Sequence, residues 1–346
     1  MSTLLNEISN TILDECSTDA ELRHALDSFS SLCSNYTGIL PDPSFDGWAS
    51  DTLLASGVAI NPKAAAHCVT DYLRSVQFIR GIYAAINTAR IRFSAAPLRI
   101  LYAGCGPFAT LVLPLLGKLT PGEIQLTLLD VHQSSLDSVQ RLLRHFELDS
   151  HLIETVQCDA SSYQHATQLH IIIAETMQKA LEQEPQVAIT ANLAPQLCAQ
   201  GIFIPQKIEV ELCLANLADE QRMYQRFGRI DREGLQNSGK RYPLATLLTL
   251  YKGFFLSSLY QKCDTKDKLN LTTIEIPALA NPQNYEALLF TRIVVFEKHQ
   301  LQDYEAEISL PQRCYEISQL HGGATFQIYY QLGSYPKFVI FRDDPD

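Results

Sequence analysis

The chain has 346 residues, 46% of them hydrophobic, and a net charge of −11, which suits about two domains with ordinary cores, disfavours a nucleic-acid partner and suits a cationic substrate or simple solubility about equally. Three glycines and two prolines interrupt the longest apolar stretch, "ILYAGCGPFATLVLPLLGKL", and the acidic start "MSTLLNEISNTILDEC" lacks a signal peptide's basic lead, so neither a membrane span nor secretion is expected. Nine cysteines without a CxxC pair predict reduced thiols in a cytoplasmic setting.

Residues 1–95 read as helices. Leu4, Leu5, Ile8, Ile12 and Leu13 fall at helical spacing. In "STDAEL", Thr18 and Glu21 form a capping-box signature. A further helix is expected to start at Asn61 and run on through "DYLRS", with Pro62 in the first turn, where proline is tolerated. From Leu98 the rhythm changes to short apolar runs separated by helix-length segments: "LRILYAG", "IQLTLLDV", "LIETVQCDA" and "LHIIIAE". That alternation predicts a parallel sheet with crossover helices over residues 96–206.

Residues 207–346 alternate with period two in "KIEVELCLA", "LTTIEIP", "ALLFTRIVVFE", "YEAEISL" and "TFQIYYQL", which predicts an antiparallel sheet or barrel. Within it, residues 216–268 carry more helix signal, with Leu244, Leu247, Leu248, Tyr251 and Phe255 on one helical face. The fold class expected is therefore α/β: a Rossmann-like domain, an N-terminal helical segment and a C-terminal barrel-like domain.

"LRILYAGCGPFATL" is a strand, a glycine turn and a helix start. Gly104 and Gly106 would let backbone approach a ligand where a Cβ would collide. Asp130 closes the second strand, where an acid can accept both ribose hydroxyls, and Asp159 follows the third, in reach of an adenine amino group. The glycine loop has no basic residue, no GxxxxGK[ST] is present, and Phe108 stands where a third glycine would meet a pyrophosphate. An adenosine ligand without phosphates fits best, and S-adenosylmethionine is the common one.

With "LYAGCGP", "LLDVHQSS", "VQCDA" and "IIIAETMQKALEQEP" in order, the chain resembles the class I methyltransferases, and within them the protein arginine N-methyltransferase family. The specific part is the pair Glu175 and Glu184, eight residues between them, with Met177 two after the first. "LAPQLCAQGIFIPQKIEVEL" and "DYLRS" are similar to the family's crossing into its barrel and to its helix over the cofactor. The resemblance spans about residues 62–212. It implies that Glu175 and Glu184 hold a guanidinium and that Arg74 pairs with the cofactor's carboxylate, with Asp71 shaping the site. It also implies that Asp130 holds the ribose, Asp159 and the Ala160 backbone the adenine, and Gly104 the methionyl end, with Ala103, Gly106, Val131 and Glu175 also binding the cofactor. Residues 216–268 stand where the family carries a dimerisation arm, so a homodimer is implied, and residues 1–60 suit a lid.

Some positions depart from that pattern. Thr176 follows Glu175, where the family usually has a bulky aromatic. No Thr-His-Trp sequence is present, and the nearest loop histidine is His321. These departures favour a small guanidine, such as free arginine, over a peptide. Glu182 reads as a solvated acid, His132 as a helix-cap neighbour, and Cys105 as a small residue in a tight turn. An O-, C- or amine N-methyltransferase and a non-catalytic binder are the competing readings. A guanidinium, with pKa ~13.8, has delocalised lone pairs. Two carboxylates gripping its planar fork would fix one nitrogen in line with a sulfonium methyl and receive the proton it sheds. Two acids facing one empty pocket predict that the site holds a proton near neutral pH.

Overall fold

The computed structural model describes residues 3–42, 50–93, 97–254, 268–317 and 320–343. The expected boundary at residues 95 and 96, Phe255, Cys263 and most of the end of the 216–268 segment fall outside them.

Helix α1 (Thr3–Leu13) buries the predicted stripe of Leu5, Ile8 and Ile12. Helix α2 (Asp19–Thr37) opens on the capping box, with Glu21 N donating to Thr18 Oγ1 and the Glu21 carboxylate accepting from Thr18 N. Two short strands, β1 (Thr52–Leu53) and β2 (Val58–Ala59), pair as an antiparallel hairpin. Asn61 caps α3 (Pro62–His67), its Oδ1 accepting from Lys63 N and Ala64 N. The helix does not continue from there as the sequence suggests. A 3-10 turn over Cys68–Thr70 breaks it, and α4 (Tyr72–Arg92) restarts after Asp71. β-branched Val69 and Thr70 weaken the helix at the break. Asp71 is held out of helical geometry while its carboxylate accepts from Glu307 N, far along the chain.

The parallel sheet follows. Its elements are β3 (Leu98–Ala103), α5 (Leu113–Leu116), β4 (Ile124–Asp130), α6 (Gln133–His145), β5 (Leu152–Gln157), β6 (Leu169–Ala174), α7 (Gln186–Leu193) and β7 (Leu197–Ile204). The strand order is β5-β4-β3-β6-β7, all neighbours parallel. All six residues of β6, apolar apart from His170, are buried, as in a strand covered on both faces. The order reverses between β3 and β6, and such sheets bind ligands beyond the carboxyl ends of their strands at that point.

The rest is antiparallel. Strand β8 (Lys207–Ala215) leads into helices α8 (Leu217–Phe227) and α9 (Arg232–Asn237), then β9 (Arg241–Leu250) and β10 (Lys268–Glu275). Strands β11 (Glu286–Phe296), β12 (His299–Leu301), β13 (Gln312–Arg313), β14 (Thr325–Gln331) and β15 (Lys337–Asp343) complete it. One sheet runs β12-β11-β8-β9 with β13 on β11, and the other runs β10-β14-β15.

Two expectations fail here. Leu244, Leu247 and Leu248 lie on strand β9, because residues 241–250 satisfy their backbone by pairing with β8 from Arg241↔Ala215 to Leu250↔Ile208. Register shifts at Val210/Glu211 and Leu212/Cys213 blur the period-two pattern into one that looks helical. "YEAEISL" is no strand: Glu307–Ser309 make a 3-10 turn closed by Ser309 N donating to Ala306 O.

Candidate functional site

Four strand ends of the parallel sheet open on one cavity of about 610 Å³, a volume ordinary for a small-molecule site. After β3, Gly104 and Gly106 lie in the left-handed region, at φ +66° and +62°. A Cβ on Gly104 would come 2.5 Å from Thr176 Cγ2, so the turn needs glycine on both counts. At the end of β4, Gly106 N donates to Asp130 Oδ2 at 2.9 Å and His132 N to Oδ1 at 2.8 Å. These bonds hold the Asp130 carboxylate on the cavity wall beside Val131.

Beyond β5, Asp159 accepts from Ser161 N at 2.8 Å and from the Ser56 hydroxyl at 2.9 Å, with buried Ala160 next to it on the wall. Ala103 is a correction. It ends β3 with its methyl among Leu101, Leu129 and Ala174 in the core, and strand alternation turns Tyr102, not Ala103, to the cavity.

Strand β6 leads into the loop that carries the two glutamates. Ala180, Leu181 and Gln183 all have positive φ, at 55°, 53° and 65°. Such a run of non-glycine residues persists only where surroundings impose it. Ala180 N donates to Thr291 Oγ1 on β11, the Tyr330 hydroxyl on β14 donates to Leu181 O, and Gln183 N donates to Pro336 O. From the other side Val58 N donates to Gln183 O, and a Cβ on Gly57 would sit 2.8 Å from that same oxygen.

The loop is thereby clamped between the β1–β2 hairpin and the antiparallel sheets. It brings Glu175 and Glu184, 9% and 8% exposed, to the same cavity.

Arg74, on the first turn of α4, donates through Nη2 to Glu175 Oε2. The other oxygen, Oε1, is buried without a hydrogen-bond partner. Burial alone would lower the Arg74 guanidinium, but the carboxylate against it more than restores it and the group stays cationic. The Glu184 carboxyl is pushed up to about 8, by burial first and the charge of Glu175 second, with Arg74 opposing. Glu184 therefore carries the proton that two facing acids predict. Burial also raises Asp71, which lines the wall one turn from Arg74.

No family model matches this chain, and no curated protein does. Solved structures similar to it include the Trypanosoma brucei PRMT1 enzyme–prozyme heterotetrameric complex with AdoHcy, 11% identical over 81% of this chain and 92% of that one, at TM-score 0.48. Another is Arabidopsis thaliana protein arginine methyltransferase 10 in an open conformation, 10% identical over 76% and 86%, at TM-score 0.45.

Sequence reasoning missed several wall residues. Residues 51–60 close one side: Thr52 Oγ1 lies 3.0 Å from His132 Nε2, Ser56 reaches Asp159, and Leu54 and Val58 line the cavity. The 3-10 turn at Glu307 and Ile308 closes another. Neither segment is long enough to show a period. Gln178 and Lys179, within the glutamate loop, line the cavity as well, and a Glu-spacing argument passes over them. Glu182 is half-buried, donated to by Gln312 Nε2 and raised by burial, because the loop turns it toward the antiparallel sheets. Phe108 and Cys105 are buried, Phe108 in the core rather than on the wall, and His321 is not a lining residue.

Proposed function

We propose that this chain is an S-adenosylmethionine-dependent N-methyltransferase acting on a guanidino group, with free arginine or a small arginine-like molecule ahead of a peptide arginine. One observation carries the reading. Two buried carboxylates share a cavity in which one already grips a guanidinium, that of Arg74, and keeps a buried oxygen without a partner.

The wall residues fit the cofactor. Asp130, fixed by two backbone N–H groups, presents oxygen lone pairs where ribose hydroxyls can donate. Asp159 and the Ala160 backbone suit an adenine edge, Gly104 and Gly106 admit close approach, and Arg74 suits a carboxylate. The glycine loop offers no cation for phosphate. Bound there, S-adenosylmethionine supplies an electrophilic methyl on a sulfonium.

Glu175 and Glu184 then do the remaining work. Glu184 loses its proton as a cationic guanidinium enters, because the incoming positive charge favours the ionised carboxylate against the burial and the Glu175 charge that raised it. The two carboxylates hold the planar fork and orient one nitrogen, and alignment of that kind can supply ~7–11 kcal/mol. One of them receives the proton released as the new C–N bond forms. Thr176, over Gly104, takes less room than an aromatic would.

We read residues 1–95, 96–206 and 207–346 as a helical lid, a cofactor domain and a barrel-like domain. Residues 216–268 are read as a dimerisation arm, which makes a homodimer. Eight of the cysteines are described, all as free thiols, which supports a reducing, cytoplasmic setting. No described helix is long and apolar enough to cross a membrane.

The test is a screen of radiolabelled methyl transfer from S-adenosylmethionine to free arginine, related guanidines, arginine peptides and cell extract. Transfer to a guanidine that Glu175→Gln abolishes supports the reading. Transfer to a hydroxyl or carbon, indifferent to that change, overturns it.

A further inference from the structure

The cavity wall is strongly acidic, yet it contains one cation that the reaction described above does not use. Of the two permanent cations among the described residues of the wall, Arg74 is neutralised by Glu175 and Lys179 is not. The Lys179 ammonium makes no hydrogen bond or ion pair among the described residues, and its charge acts on Glu182 through space, more weakly than that of Lys337. It stands between the two glutamates in sequence, four residues after Glu175 and five before Glu184.

Its backbone is held in place. Residues 180 and 181, immediately after it, are bonded to Thr291 and Tyr330. Lys179 is a half-buried residue of the wall, and a cation beside a pocket for a cation repels that ligand. The arrangement makes sense if the ligand brings an anion of its own.

Resting on the guanidine reading, we infer that the methyl acceptor carries a carboxylate and that Lys179 binds it. The acceptor is then a free guanidino acid of the arginine type, its guanidinium on Glu175 and Glu184 and its carboxylate on the Lys179 ammonium. A single charged hydrogen bond of this kind discriminates against a ligand lacking the anion by about 10- to 100-fold. A peptide arginine, whose carboxyl is an amide, lacks it. Lys179 is a specificity-determining residue on this account and takes no part in bond making.

The experiment compares L-arginine, agmatine (the same guanidine without the carboxylate) and an amidated arginine peptide. Binding is read by calorimetry with S-adenosylhomocysteine present, and methyl transfer by kcat/KM, for the wild type, Lys179→Gln and Lys179→Arg. The expected result is an arginine-to-agmatine preference of about 10- to 100-fold in the wild type. Lys179→Gln should bring that ratio close to one, and Lys179→Arg should keep most of it. An equal response to arginine and agmatine in the wild type overturns the assignment, as does a ratio unchanged in Lys179→Gln or a peptide that outperforms arginine. If agmatine, arginine and the peptide all fail to bind and to be methylated, the guanidine reading itself falls and takes this assignment with it. Agmatine turnover separates the two failures.

Discussion

The guanidinium of Arg74 is bonded to the carboxylate of Glu175 inside the cavity, joining side chains 101 residues apart in sequence. Arg74 thus serves as counter-ion for a site that otherwise gathers buried acids. Arg74→Met leaves Glu175 beside Glu184 with no compensating charge and is expected to cost about 3–5 kcal/mol of stability. The unpaired acids would then hold protons, so the loss should deepen as pH rises. Urea unfolding at pH 6 and pH 9 measures both effects, and an unchanged midpoint at both would mean that Glu175 needs no partner.

Glu184 supplies a pH signature. Its folded value near 8 stands above the ordinary 4.5, so the folded protein keeps a proton that the unfolded chain releases. The stabilisation is full below the unfolded value and is lost as pH rises through the folded one. The stability difference between the wild type and Glu184→Gln should fall by about 1.4 kcal/mol per pH unit between those limits, and level off above. A flat difference across pH 4.5–8 contradicts it.

The same proton should leave when a guanidine binds. At pH 7, calorimetric titration of the acceptor in buffers of different ionisation enthalpy should report release of up to about one proton. Glu184→Gln should release none. That variant should also lower kcat by ~10²–10³, the scale for losing one preorganised charge, while affinity for S-adenosylhomocysteine holds.

Ser56 ties the β1–β2 segment to Asp159 across the cavity. Ser56→Ala removes a hydrogen bond to a charged acceptor, worth about 1.5–3 kcal/mol. It should speed cofactor dissociation and leave the acceptor KM largely as it was. Stopped-flow displacement of S-adenosylhomocysteine provides the measurement, and an unaltered off-rate would show that the segment does not act as a lid.

Away from the cavity, Arg241 is 0% exposed, bonded to Glu220 and Asp303 and stacked 4.0 Å from the Phe290 ring centroid. It joins helix α8 to the start of β9 and to the loop after β12. Arg241→Met takes the shared cation from two buried acids, leaving Glu220 only the Tyr304 hydroxyl and Asp303 only Arg292, and should cost about 3 kcal/mol, seen as a lower Tm. Cofactor affinity measured well below that transition should not change, because none of these residues lines the cavity.

Much of the cofactor wall was legible because its signals are local. A strand leading to Gly104, another ending in Asp130, a third leading to Asp159 and a fourth to Glu175 each show in a few residues. Parallel-sheet topology then carries all four ends to one edge. Legibility ended at β9, where two register shifts made a strand look like a helix, and at residues 68–71, where a bond from Glu307 holds Asp71 out of helical geometry. It ended also at Glu182, whose side of the loop depends on bonds to Thr291, Tyr330 and Pro336.

The sequence by itself determined the order of strands and turns, the acids at the strand ends and the spacing of the two glutamates, since glycine conformation and hydrophobic period act over a few neighbouring residues. Only the tertiary structure decided that Arg74 sits on Glu175, that Ser56 reaches Asp159 and that Glu184 keeps its proton. Each of these depends on burial and on charges brought together from distant parts of the chain, and both quantities exist only once the chain has packed.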